Sequence, residues 1–119
     1  MTDDERIKLL VAAEVERTSD INLREALRAY LIPPRLHYRT WEYANPNESY
    51  PCWLVADFSP EQYGLAYSEY GHGSHSPWGV VSLTRSFFGM DSEWFAFLED
   101  AFIHSGIWKG LRPPGYEVR

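Results

Sequence analysis

The sequence predicts an α+β domain: two N-terminal helices, a four-stranded antiparallel meander and one C-terminal helix, with the helices on one face of the sheet. Three observations predict it. Apolar residues recur at helical spacing up to residue 31, give way to short β-branched and aromatic runs between residues 35 and 83, and return to helical spacing after Asp91. The runs in the middle are joined by short connections, which favour antiparallel neighbours. At 119 residues the chain suits one domain with a core of its own, spanning 1–119.

Each element has its own signal. Thr2-Asp-Asp-Glu5 is a capping-box pattern, and Ile7, Leu10, Val11 and Val15 follow at helical spacing, which predicts a helix over 3–17. Thr18-Ser19-Asp20 breaks it and offers a new cap. Leu23, Ala26, Leu27, Tyr30 and Leu31 form the next stripe, and Pro33-Pro34 stop it near Leu31, so 1–32 reads as a helical hairpin. Strands are expected at 35–43, 52–58, 63–70 and 78–83. Asn45-Pro46-Asn47-Glu48 supplies turn chemistry between the first two, Ser59-Pro60-Glu61 joins the next pair, and Gly71 and Gly73 allow a turn before the last. Asp91 is a good cap for a helix over 91–106, with Trp94, Leu98, Ala101, Phe102 and Ser105 on one face and Gly106 closing it. The tail, 107–119, carries Pro113-Pro114-Gly115 and is expected to run extended, pinned by Trp108, Tyr116 and Val118.

Charge narrows the functional classes. Residues 1–41 balance seven acids against seven bases, whereas 42–104 hold nine acids against Arg85 alone, in a chain of net charge −6. Such a surface repels phosphate backbones and attracts a basic protein, so no nucleic-acid partner is expected. A single cysteine, Cys52, excludes an internal disulfide and a cysteine-based zinc cluster. The opening MTDDERIK has neither a basic nor an apolar leader region, and no apolar run reaches membrane-spanning length. A cytoplasmic protein without a membrane contact is the expectation.

The stretch YGHGSHSPWG, residues 70–79, holds two of the four histidines. His72 and His75 lack the glutamate of a metalloprotease helix, and a zinc site needs three or four ligands; His37, His104, Glu69 and Asp91 stand at no recognisable spacing to them. The simpler reading is a hairpin tip with exposed histidines. No nucleophile elbow surrounds Ser74 or Ser76. Cys52 alternates with Leu54, Ala56 and Phe58, which predicts a buried thiol on an apolar face rather than a nucleophile with His37 or His75 as its base. Asp57 and Glu69 fall on neighbouring strands, and Glu99-Asp100 on the last helix; both pairs read as solvated acids. No cofactor is expected.

Neither face of the predicted sheet is cleanly polar. Arg39, Trp41 and Tyr43 share one face of the first strand and Leu36, Tyr38 and Thr40 the other, while Trp53 and Val55 oppose the Cys52 set on the second. One helix layer covers one face. The second face, carrying Trp53 and Tyr70, is then left for a partner or for a second copy of the chain.

The second half, through Pro77-Trp-Gly-Val-Val-Ser-Leu83, Met90-Asp-Ser-Glu-Trp-Phe-Ala-Phe-Leu98 and Pro113-Pro-Gly-Tyr-Glu-Val118, resembles small acidic bacterial proteins of the toxin-immunity kind. The resemblance extends over roughly the last 45 residues and is one of style, without a diagnostic motif. It implies a non-enzymatic inhibitor that occludes a basic protein such as a toxin. The partner surface expected on this reading comprises Trp53, Asp57, Glu69, Tyr70, His72 and His75. Two alternatives stand beside it: a small enzyme or ligand-binding domain built on the His72/His75 loop, and a structural homodimer.

Overall fold

A computed structural model describes residues 1–41, 48–70, 72, 75–89 and 91–108. Most of the predicted Asn45–Glu48 turn, Gly71 and Gly73 of the 70–79 loop, and the predicted tail from 109 onward lie outside them.

The first helix, α1 (Asp3–Arg17), buries Ile7, Val11 and Val15. Its capping box does not form. The Thr2 hydroxyl donates to the Asp4 carboxylate, a charged acceptor close at hand, and caps no helix N–H. Helix α2 (Ile21–Tyr30) does carry its cap: the Asp20 carboxylate accepts from the Leu23 N–H at 2.8 Å. It ends at Tyr30, beside the predicted stop near Leu31, and the chain turns directly into strand β1 (Leu31–Arg39), which begins before the expected residue 35. Pro33 and Pro34 sit at a register shift between Leu31 and Arg35. β1 is an edge strand, where a missing N–H is tolerated.

Strands β2 (Tyr50–Phe58), β3 (Tyr63–Tyr67) and β4 (Trp78–Ser82) continue the meander. A fifth strand, β5 (Trp94–Phe95), extends it in the antiparallel order β1-β2-β3-β4-β5. The expected helix over 91–106 is therefore corrected. Asp91–Glu93 is one 3₁₀ turn, and the last helix, α3, covers only Leu98–His104. The reason is packing: Trp94 and Phe95 are both buried, but in different clusters on opposite sides of the sheet. Adjacent residues reach opposite sides from a strand, not from a helix. α3 is capped from outside itself, since the Leu98 N–H donates to Glu14 of α1 at 2.8 Å. Arg17 holds that carboxylate at 2.7 Å and lies over the Phe97 ring. Gly106 closes α3 with φ +80°, as its position in the sequence predicts. Ile107 and Trp108 then pack on the core.

A bulge in β2 divides the core. Leu54 pairs with Ala66 and Ala56 with Leu65, so two steps on β2 match one on β3 and Val55 is the extra residue. The face therefore switches. Cys52 and Leu54 pack with Ala66, Val81, Phe88 and Trp94, while Val55, Ala56 and Phe58 pack with the helices. The predicted single row of Cys52, Leu54, Ala56 and Phe58 is split, and Trp53 belongs to the helix side.

The other side is not left open as the sequence suggests. The chain after β4 folds back over it. Thr40 N–H donates to Ser86 O at 2.9 Å, Phe88 N–H donates to Thr40 O at 3.1 Å, and the Phe88 ring is buried against Trp41, Tyr50 and Trp94. Among the described residues, no helix is long and apolar enough to cross a membrane.

Candidate functional site

A groove of about 290 Å³ lies between the first turn of α1 and strands β1 to β3. Register builds its floor. Leu36, Trp53 and Tyr67 stand opposite one another across three strands, and Tyr38 and Pro51 form the next row. Paired residues share a face, so these side chains line one surface. Asp3 and Arg6 wall it from α1, and Glu69 and Tyr70 close it at the end of β3. Ser68 holds that end in place: its hydroxyl donates to Pro51 O at 2.9 Å and accepts from Tyr70 N–H at 3.2 Å. The Tyr70 ring stacks on Tyr50 with 14° between planes.

Three large side chains here remain in water: Leu36 is 43% exposed, Tyr38 56% and Tyr70 58%. Glu69 pairs with Arg6 at 2.9 Å, both half in solvent, so the pair orients the rim more than it stabilises the fold. The Glu69 hydrogen bond raises the Arg6 guanidinium further, and burial, then the Glu69 charge, raise the Tyr67 phenol. The groove thus has an aromatic floor and a fixed charged rim.

Of the residues expected to form a partner surface, the groove unites Trp53, Glu69 and Tyr70. Asp57 is elsewhere. It pairs with Gly64, whose missing side chain would point at Leu54 and Leu83, and it stands 4.0 Å from Arg35 on the side opposite the helices. His72 is not an exposed loop tip but half-buried, with its ring edge-on to Trp41 at 4.8 Å and tilted toward Trp94 at 6.0 Å. His75 is exposed. Sequence reading missed Arg6 and left Leu36, Tyr38 and Tyr67 unassigned. The alternation of Leu36 and Tyr38 was the available signal. Arg6 had none, because only the fold sets α1 beside β3.

A second polar cluster lies on the far side. His37 and Cys52 face each other across β1 and β2. Burial pushes the Cys52 thiol up to about 12, against the pull of Arg39. The His37 ring accepts from Arg39 Nε at 2.7 Å, and burial followed by the Arg39 charge pushes it down to about 4. This is a protonated thiol beside a neutral imidazole whose Nε2 lone pair is already used, the reverse of a nucleophilic dyad. Among the described residues, no group of three or more His, Cys, Asp or Glu is placed to hold a metal ion.

His37 carries a pH dependence. Its unfolded value is about 6.5 and its folded value is lower, so the unfolded chain binds the proton more readily. The stability held above pH 6.5 is lost as pH falls toward 4. The loss is about 2 kcal/mol after allowing for the part of the ring that meets solvent. Urea midpoints between pH 4 and 7 measure it. The His37→Gln variant, which keeps an acceptor for Arg39 but does not titrate, has the flatter profile; equal slopes for the two proteins would remove His37 as the cause.

Comparison of the chain with protein-family models, with curated proteins and with solved structures finds no match.

Proposed function

We propose that this domain is a non-enzymatic binding module for a basic protein, and that it acts as an inhibitor of the immunity type by covering its partner's working surface. The observation that carries the reading is the groove: Leu36, Tyr38 and Tyr70 exposed side by side, with Trp53 beneath and Glu69 and Asp3 at the rim. Rigid aromatic side chains in a shallow depression are the usual anchors of protein interfaces. The acidic balance of residues 42–104 supplies long-range attraction for a basic partner and makes the encounter salt-sensitive.

Capture of bound proteins from the source cell at low and high salt tests it, with Tyr38→Ala/Tyr70→Ala run in parallel. The expected result is one basic protein, released by salt and held at least about tenfold more weakly by the double variant. A partner retained equally by the double variant places the interface elsewhere. Recovery of the chain itself, with a doubled mass in light scattering, assigns the groove to self-association instead.

A further inference from the structure

On the side of the sheet away from the helices, a cavity of about 200 Å³ is lined by Arg35, His37, Arg39, Arg85 and Ser86, with Leu54 and Leu83 between them. This gathers three arginines in a chain of net charge −6. One of them, Arg85, is the sole basic residue of 42–104, and the fold carries it back onto the two arginines of β1. Like charges facing one cavity repel, and an anion held between them relieves that repulsion.

The protein itself supplies little compensation. Arg39 is 3% exposed, and its hydrogen bonds go to His37 and to the carbonyls of Ser82, Arg85 and Phe87, none of them charged. Arg35 has Asp57 at 4.0 Å, at the limit of an ion pair. The exposed Arg85 guanidinium has no ion-pair partner among the described residues. Two exposed guanidinium forks with donors to spare, lining one cavity with a third whose charge is buried, match an oxyanion.

We propose that this cavity is a binding site for a small oxyanion, a phosphate or carboxylate group, held by Arg35 and Arg85 beside the fixed charge of Arg39. A bound anion favours the protonated form of His37, and protonation exchanges the bond that Nε2 accepts from Arg39 Nε for one that Nε2–H donates, so the ring must turn away from Arg39 to join the site. Asp57 is then the internal competitor for Arg35. The site lies on the opposite side of the sheet from the aromatic groove and does not depend on what that groove binds.

Titration of the intact protein with inorganic phosphate, and separately with malonate, at ionic strength held constant with sodium chloride, tests the proposal. The readouts are heat of binding and the His37 imidazole resonances. Saturable millimolar binding of either anion is expected, with the His37 titration moved upward in the bound form. Arg35→Ser and Arg85→Ser replace exposed side chains, and each should weaken binding about tenfold, the worth of a lost charged hydrogen bond. Asp57→Asn should tighten it. Saturation by one anion alone supports the site and identifies its chemistry. No saturable heat with either anion, or binding unchanged in both arginine variants, overturns it.

Discussion

Arg39→Lys is expected to lose about 3 kcal/mol of stability while leaving the charge in place. The guanidinium donates to His37 Nε2, to Arg85 O and Phe87 O from one nitrogen, and to Ser82 O from another, all between 2.7 and 2.9 Å. It therefore pins the last residue of β4 and two points of the segment after it to the edge strand. A lysine ammonium is a point charge on a flexible stem and cannot span those carbonyls together. It would also keep the desolvation penalty of a buried cation with fewer bonds to offset it. The loss should be local before it is global. Hydrogen exchange at the Thr40 and Phe88 amides, which form the backbone pairing beneath the clip, should quicken first. Unfolding by urea gives the total. If the lysine variant is within about 0.5 kcal/mol of the parent, Arg39 is not the clip described here.

Gly79→Ala is expected to lower the melting temperature by roughly 10 °C or more, which corresponds to about 3 kcal/mol for a domain near this size. A Cβ at residue 79 would lie 2.5 Å from two atoms of the Trp94 ring and 2.7 Å from a third. The ring cannot step aside, because it is buried and its indole N–H donates to Phe88 O at 2.8 Å. The clash is with a rigid core residue, so the strand pair β4–β5 must open instead. Gly89, with φ +83° and nothing within 4 Å, offers a contrast: there the strain of substitution comes from backbone conformation alone. Thermal unfolding followed by near-ultraviolet circular dichroism reads both stability and the tryptophan packing. A Gly79→Ala protein that melts within 2–3 °C of the parent, with an unchanged tryptophan signal, would show that Trp94 does not sit against this strand.

Much of the architecture was legible because it depends on short-range pattern. The stripe of Ile7, Val11 and Val15, the cap at Asp20, the stop before Pro33 and the glycine at 106 each act within a turn or two of chain, and each stands where the pattern puts it. The meander followed from short connections. Trp94 and Phe95 were misread because two adjacent large apolar residues fit a wide helical stripe as well as they fit a strand buried on both faces. Only the presence of β4 beside them decides between the two. The bulge at Val55 left no mark in the sequence, and it reversed the side on which Ala56 and Phe58 pack.

The candidate sites divide in the same way. That aromatic side chains would be exposed near an acidic stretch, and that Trp53, Glu69 and Tyr70 would lie on one surface, followed from composition and from strand positions. The groove needed a long-range contact, Arg6 with Glu69, which no spacing encodes. Asp57 parted from Glu69 for a related reason: the bulge turns its side of β2 over, so the two acids face opposite sides of the sheet. The arginine cavity is wholly a product of tertiary structure. Its members come from residues 35 to 39 and from 85, and they meet only because the segment after β4 folds back over β1 to bury Phe88. The sequence by itself determined the first two helices, the four strands of the meander and how the charge is apportioned along the chain, since those follow from local sterics, hydrogen bonding and short connections. The tertiary structure decided which faces are covered and which charges become neighbours, because burial of large apolar side chains is satisfied only by segments far apart in the chain.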